Sequence, residues 1–357
     1  MEMIGLPEML TIFTDTDLKH IVNHCKPDLL ALKSARLFIT GGTGYIGRWL
    51  LESICYANQL LDLNITITLL SRDPDKFLSK NPHLSTDSAI TFIAGDVRDF
   101  QFPEGEFTHA IHAATDVIVV NTPLDTFDVT VCGTKRVLDF CKQRGVANVL
   151  LLSSGAVYGS IPHHLNLISE EYLGRPNLDS LNSAYGIGKI VTEWLGSAYS
   201  TEGMACKSAR VFAQIGPYLA LDKQFAAGNF ILNAINNEPF IIKGNGTPLR
   251  SYMYATDLVI WLLGILIRGQ ACRAYNVGSD HAISIKELAL MIARISGVSD
   301  PNIKILGKIC QETPPERYVP DISRAKNELN LKISIPLDEA LRRTLEWYRP
   351  HLSRENE

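Results

Sequence analysis

Two rhythms of apolar residues alternate along the first 215 positions of the chain. An apolar run from Ala35 to Thr40 is followed by short stretches rich in apolar and β-branched residues at Ile65 to Leu70, Ala89 to Ala94, His109 to Ala113, Val149 to Leu152 and Cys206 to Val211. They have the length and content of buried strands. Between them, apolar positions recur three and four residues apart: from Tyr45 through Trp49, Leu50 and Ile54, over about 124–144, and from Tyr185 to about Ser200. That spacing predicts helices with one apolar face. Strand–helix–strand alternation in turn predicts an α/β fold built on a doubly wound parallel sheet.

After Gly216-Pro217 the rhythm breaks. A helix at 228–236, a turn at Gly244 to Gly246 and a helix near 257–268 precede a strand at 274–277, and helices follow at about 284–296 and 337–348. The pattern predicts a smaller C-terminal region interleaved with the sheet. Before the first strand, Thr14 and Asp15 are placed to cap a short helix running to His24 and ended by Pro27. This extension reads as a packing or dimer element. Repeats, low-complexity segments and flexible linkers are absent from the sequence.

Chemistry enters at Gly41-Gly42-Thr43-Gly44-Tyr45-Ile46-Gly47, between the first strand and the first helix. Gly41, Gly44 and Gly47 have the spacing of a dinucleotide-binding turn. The first permits the tight turn, the second lets backbone approach a pyrophosphate, and the third lets helix pack on strand. The helix N-terminus adds unpaired N–H groups and a positive dipole end. Far downstream, Tyr185 and Lys189 stand four apart on a predicted helix and so share a face. An ammonium beside a phenol favours the phenolate, so the pKa of Tyr185 is expected to fall towards working pH. That makes Tyr185 a candidate proton shuttle for a sugar or alcohol hydroxyl.

Composition narrows the setting. The 357 residues are 46% hydrophobic and 20% charged, as in ordinary globular proteins. With 34 basic and 38 acidic residues, the net charge is −4 and no basic block exists. Neither a nucleic-acid partner nor an anionic membrane is indicated. Seven scattered cysteines (25, 55, 132, 141, 206, 272 and 310) without Cys-x-x-Cys predict a reducing compartment and no disulfide or zinc framework. The nine histidines show no metal-ligand spacing, so no metal is expected. Met1-Glu2-Met3-Ile4 lacks the form of a secretory signal. The apolar stretch from Leu258 to Ile267, about ten residues, is too short to span a bilayer. A cytoplasmic protein is expected.

With these pieces in order, the chain resembles an extended short-chain dehydrogenase/reductase of the nucleotide-sugar epimerase/dehydratase family. The similarity covers about residues 35–348. Beyond the glycine turn and Tyr185/Lys189, it rests on Ala94-Gly95-Asp96-Val97, His112-Ala113-Ala114, and Ser153-Ser154-Gly155-Ala156-Val157-Tyr158-Gly159. Further along it rests on Arg250-Ser251-Tyr252 with Asp257, Tyr275-Asn276-Val277-Gly278, and Arg317-Tyr318-Val319-Pro320-Asp321. The resemblance implies a Rossmann-type domain at 35–215, completed by about 252–280. A substrate-binding region at 216–251 and 281–357 and an N-terminal extension at 1–34 make up the rest.

The resemblance also implies roles. Ser154 would hydrogen-bond the reacting oxygen, Tyr185 would exchange its proton, and Lys189 would hold the nicotinamide ribose and tune Tyr185. Thr43, Tyr45, Ile46, Ala113 and the three turn glycines would line the NAD or NADP site, with Asp96 and Val97 at the adenine. Asn229, Arg250 and Arg317 would grip the diphosphate of a nucleotide sugar, a task suited to the planar guanidinium fork. Asp257 reads as a helix cap rather than a ligand. Helices near 127–144 and 184–200 would form a homodimer interface.

Three departures from the family pattern bear on the chemistry, the third smaller than the others. Dehydratase members carry Asp and Glu after the Ser or Thr of the Ser154 motif, and decarboxylating members keep the Glu. Here Gly155 and Ala156 stand there, and neither can carry a proton. Glu170 or Glu171 could substitute, though nothing in the sequence requires it. Small residues fit a 4-epimerase or a 4-keto-sugar reductase better. After the second strand, where NAD-preferring members place an acid, the chain reads Ser71-Arg72-Asp73; Arg72 suits a 2′-phosphate and leans towards NADP, while Asp73 could still reach the ribose. Thr130 replaces the Asn of many relatives and could alter a proton relay. The leading expectation is a nucleotide-sugar 4-epimerase. The alternatives are an NADPH-dependent 4-keto-sugar reductase, a 4,6-dehydratase with relocated carboxylates, and a non-catalytic dinucleotide-binding sensor.

Overall fold

Seven parallel strands form the centre of the computed structural model, which describes residues 15–115, 122–200, 203–221, 225–298, 301–308 and 314–355, with side chains to residue 349. In chain order the first half runs α1 (Asp15–Ala31), β1 (Arg36–Thr40), α2 (Tyr45–Leu61), β2 (Thr66–Ser71), α3 (Pro74–Ser79), α4 (Pro82–Ser85), β3 (Ile90–Ala94), β4 (His109–His112), α5 (Pro123–Gln143), β5 (Asn148–Ser154), α6 (Ala184–Ser200) and β6 (Ala205–Val211). It continues with β7 (Gln214–Ile215), α7 (Ala226–Asn236), β8 (Phe240–Ile242), β9 (Leu249–Arg250), β10 (Met253–Tyr254), α8 (Ala255–Arg268) and β11 (Arg273–Val277). Last come β12 (Ile283–Ser284), α9 (Ile285–Ser296), β13 (Ile303–Ile305), β14 (Arg317–Tyr318), α10 (Ser323–Leu329) and α11 (Leu337–Glu355).

The large sheet has the order β11-β6-β5-β4-β1-β2-β3. Strands buried on both faces read as continuous apolar runs, and β1 is buried from Leu37 to Thr40. The order reverses between β1 and β4, whose carboxyl ends open the crevice where doubly wound sheets bind ligands. One face is covered by α1, α2 and α8 around Trp49, Leu50, Leu262 and Trp261. On the other, Phe38, Phe100, Phe107 and Phe140 pack ring against ring. A second core joins Phe230 and Ile231 of α7, Leu288 and Ile292 of α9, and Leu341 and Leu345 of α11.

Pro27 does not end the first helix. The helical path breaks at Cys25 (φ −123°, ψ 23°) and resumes through Pro27 to Ala31. A proline ring fits the first turn of a helix, where its missing N–H costs nothing. The described part of the extension is thus core structure: Leu18, Ile21, Val22 and Leu29 are buried in the cluster shared with α2 and α8. Asp17 accepts from the Tyr254 hydroxyl at 2.7 Å and from Arg343 at 2.6 Å, tying α1 to β10 and α11. Thr14, the N-terminal Met1 to Ile4 and Cys310 lie outside the described residues.

Asp257 is also placed differently from expectation. Tyr254 is the N-cap of α8, and Asp257 sits buried within the first turn. Its carboxylate accepts from the backbone N–H groups of Ser334 and Ile335, each at 3.0 Å, and from the Ser334 hydroxyl. It clamps the segment that leads into α11. Among the described residues, no helix is long and apolar enough to cross a membrane.

Candidate active site

The glycine turn sits at the switch point in a conformation that only glycine permits. Gly41 has φ +71°, and a Cβ there would lie 2.5 Å from the carbonyl carbon of Ala113 on the neighbouring crossover. A Cβ on Gly47 would lie 2.2 Å from the Gly41 oxygen, so α2 seats directly on the turn. Gly44 caps α2 without a side-chain bond, leaving the first-turn N–H groups turned to the crevice. A cavity of about 660 Å³ opens beside this turn, lined in part by Gly41, Gly44, Ala113, Ser154, Tyr185 and Lys189. A second cavity of about 300 Å³ shares Gly41, Gly44, Ala113 and Thr115 and runs past Thr43, Arg72, Asp96 and Val97. Together they form one groove across the sheet's carboxyl edge, and Tyr45, Ile46 and Gly47 border its larger end.

At that end, β5 finishes in Ser154, whose Oγ accepts the Ala156 N–H at 3.2 Å and starts the short turn from Gly155 to Tyr158. Helix α6 carries Tyr185, Lys189 and Glu193 at four-residue spacing, so all three lie along one face. Lys189 Nζ donates 2.6 Å to the Leu152 carbonyl and 2.9 Å to Thr115 Oγ1, and lies 5.7 Å from the centre of the Tyr185 ring. Burial lowers its pKa to about 7, with the Glu193 charge acting against that shift. Glu193 in turn is held by a two-pronged Arg210 pair at 2.9 and 2.7 Å and accepts from Ser153.

The expected lowering of the Tyr185 pKa does not occur. Desolvation pushes it up, and only interaction with the Ser154 hydroxyl works against that. Lys189 directs two of its three donors to Leu152 and Thr115 and is itself drawn towards neutrality, so it offers little positive field to the phenol.

At the narrow end, Ser71 and Arg72 line the smaller cavity, but Asp73 does not. Asp73 caps α3, its Oδ1 accepting the Lys76 N–H at 3.0 Å, while its own N–H donates to Ser71 Oγ at 3.3 Å. Asp96 faces the same cavity, paired with Arg98 at 2.8 Å, which holds its carboxyl below the ordinary range, with a smaller contribution from Arg72.

Among the three residues expected to grip a diphosphate, Arg250 lines the large cavity. It pairs with Glu316 at 3.0 Å. Strand β9 runs parallel to β14, with Arg250 opposite Tyr318 and Leu249 opposite Arg317. Alternation along β14 turns Arg317 away from the face that carries Tyr318; Arg317 does not line the cavity. Asn229 lies half-buried on α7 and does not line it either, although Phe225 and Ala226 at the start of that helix do.

Glu170 and Glu171 are engaged elsewhere. Glu170 accepts the Asn276 N–H at 2.8 Å behind the end of β11, and Glu171 pairs with Arg324. Thr130 is buried against Gly188, and its hydroxyl donates 2.7 Å to the Thr126 carbonyl on its own helix. Among the described residues, the large cavity has no Asp, Glu or His in its lining. Its far wall is instead Phe212, Tyr252 and Tyr318, with Gln214 beside them. Sequence reasoning missed Phe212, Gln214 and the inward aim of Tyr318; the signal available for Tyr318 was its alternation with Arg317.

The sequence profile of the NAD dependent epimerase/dehydratase family matches residues 37–278. UDP-glucuronic acid decarboxylase 1 of Xenopus tropicalis is 28% identical over 320 residues, 89% of this chain and 73% of that protein. Among solved structures, a dTDP-glucose 4,6-dehydratase of Streptomyces venezuelae with NAD bound superposes with a TM-score of 0.76 at 22% identity, over 89% of this chain and 98% of that one. The UDP-glucose 4-epimerase of Thermotoga maritima gives a TM-score of 0.73 at 21% identity, over 89% and 99%. At these identities the two structures are likenesses of fold.

Proposed function

The chain belongs to the NAD-dependent epimerase/dehydratase family, and from that premise we propose that it carries out oxidation and reduction at carbon 4 of a nucleotide-activated hexose, as a 4-epimerase. The observation that carries this reading is the cavity wall. A side chain on Gly155 would meet the Tyr318 hydroxyl at 2.4 Å and the Phe212 ring at 2.8 Å, so the position cannot hold the acid that an elimination would use. With no carboxylate or imidazole among the described lining residues, we assign the proton at the reacting oxygen to Ser154 and Tyr185, which line the cavity from the end of β5 and the start of α6.

The residues present fit a dinucleotide. Gly41 and Gly47 leave the space that a Cβ would fill, α2 presents its N-terminus, and the smaller cavity continues the groove past Arg72 and Asp96. When bound, the nicotinamide supplies the hydride acceptor and donor. Tyr185 removes the proton from the carbon-4 hydroxyl and returns it to the ketone oxygen; Ser154 hydrogen-bonds that same oxygen and steadies its charge. Lys189, already gripping Leu152 and Thr115, anchors the ribose end beside Tyr185. Arg250 takes the diphosphate, its fork matching phosphate oxygens. Asn229 and Arg317 would join it only by a change of side-chain position.

For the cofactor, Arg72 beside Ser71, with Asp73 committed to its helix, favours NADP over NAD. One observation gives a second reading some weight: an enzyme that prefers NADPH would suit a 4-keto-sugar reductase. For assembly, a homodimer through the outer faces of α5 and α6 is supported by Phe127, Ile190 and Trp194, all exposed there, Trp194 at 66%. The deciding experiment is mass spectrometry of the copurifying dinucleotide, followed by incubation with UDP-glucose, UDP-galactose, UDP-glucuronic acid and dTDP-glucose in deuterated water. A 4-epimer without deuterium at carbon 5 is expected. Label at carbon 5, or release of carbon dioxide from UDP-glucuronic acid, overturns the reading.

A further inference from the structure

Ser154 stands between two phenols. Its Oγ has one proton to give and two lone pairs to fill. The Ala156 N–H, 3.2 Å away, takes the first lone pair. Tyr185 from α6 and Tyr318 from β14 line the same cavity as Ser154, and the Ser154 hydroxyl works against the burial that raises the pKa of each phenol. The Tyr318 ring packs 4.7 Å from that of Phe212, and its strand is held in register beside β9. Its hydroxyl stands beside residue 155, the neighbour of Ser154 in the chain, because that residue is glycine: the oxygen lies 2.4 Å from where a Cβ would be.

We propose that Tyr318 is a positioning residue of this site: its hydroxyl, filling the space of the missing residue-155 side chain, donates to the second lone pair of Ser154 and so turns the Ser154 proton towards Tyr185 and the substrate oxygen. The consequence is a fixed hydrogen-bond polarity. With both lone pairs occupied, Ser154 cannot accept from Tyr185, so the neutral phenol of Tyr185 has no acceptor there while its phenolate has a donor. Burial keeps Tyr318 protonated through the working range, as a permanent donor requires. If Tyr318 is removed, the freed lone pair accepts the Tyr185 proton and stabilises the form that cannot act as a base. The inference deepens the carbon-4 oxidation reading and rests on it for its kinetic test.

The test is the pH profile of kcat/KM for Tyr318→Phe, which keeps the ring and loses only the hydroxyl. The substrate is whichever of UDP-glucose, UDP-galactose, UDP-glucuronic acid and dTDP-glucose the wild-type enzyme turns over fastest. The ascending limb is expected to move up by about one pH unit, giving roughly tenfold loss near neutrality and recovery at alkaline pH. A loss equal at every pH, or an unmoved limb, overturns the proposal. Gly155→Ala, whose methyl displaces the Tyr318 hydroxyl, is expected to move the limb the same way and serves if Tyr318→Phe does not fold. In parallel, enzyme labelled with tyrosine carrying carbon-13 at Cζ is titrated by NMR, with the Tyr185 resonance assigned through Tyr185→Phe. The Tyr185 pKa should rise in Tyr318→Phe, and an unchanged value refutes the role. If the wild-type enzyme turns over none of the four sugars, the functional reading fails while the NMR titration still decides Tyr318.

Discussion

Lys189 carries a cost that its own removal should expose. Its ammonium is buried, its pKa is lowered from 10.5 to about 7, and desolvation is the main cause. In the unfolded chain Lys189 stays protonated up to about pH 10.4. Below pH 7 the folded protein holds the charge at a penalty set by that gap, roughly 5 kcal/mol at 1.36 kcal/mol per unit. Between pH 7 and pH 10 the folded state has released the proton while the unfolded state retains it, so wild-type stability gains about 1.4 kcal/mol for each unit of rising pH. Lys189→Met keeps the side-chain volume and abolishes this titration. It also leaves the Leu152 carbonyl and Thr115 hydroxyl without their donor, a loss of about 2 kcal/mol. The variant is therefore expected to be more stable than wild type by roughly 3 kcal/mol at pH 6, near 4 °C in Tm for a chain of this length, and about equal to it at pH 9. Thermal melts of the two proteins from pH 6 to pH 9 measure the difference directly. A gap in Tm that stays constant over that range, or a variant less stable at pH 6, refutes the premise that burial of the charge dominates at this position. Catalytic activity should be lost throughout.

Three further outcomes are expected. Gly47→Ala should abolish dinucleotide binding in a fluorescence titration and lower Tm, since the new methyl would stand 2.2 Å from the Gly41 oxygen at the seat of α2; binding within twofold of wild type would show that the turn can shift to accommodate it. Arg72→Ala should weaken NADP binding about tenfold and NAD binding less than twofold by calorimetry, the difference being one phosphate–guanidinium contact; equal losses would remove the basis for NADP preference. If the exposed apolar face around Trp194 is the proposed dimer interface, Trp194→Glu should shift the molar mass measured by light scattering from dimer to monomer at micromolar concentration, because the interface would bury the new charge unpaired; an unchanged mass would place the interface elsewhere.

The parts of this protein legible from sequence are those that short-range physics decides. A buried parallel strand favours apolar and β-branched residues and a half-covered helix repeats near every fourth position, so β1 to β6, α5 and α6 follow from the pattern to within a few residues at their ends, and α2 follows in its first ten residues but runs two turns further, to Leu61. The glycine turn is likewise local, because φ of +71° at Gly41 and the contact at Gly47 exclude any side chain. Tyr185 and Lys189 share a face for the same reason: one helix holds both. Short elements such as α3, α10 and the paired strands β9 and β14 carry too few residues to show a period, and they were not anticipated.

Tertiary structure decided everything that depends on which distant segments meet. Pro27 continues a helix because α1 is clamped on α2 and α8, and Asp257 binds Ser334 and Ile335 rather than its own helix end. The register of β14 on β9 selects Tyr318 over Arg317 for the cavity and brings a phenol from residue 318 onto the vacant side of Gly155. Even the pKa of Tyr185 reverses the direction that its i, i+4 lysine suggested. Sequence spacing sets which groups are close, but desolvation and the competing partners of Lys189 set the field between them, and both belong to the assembled fold.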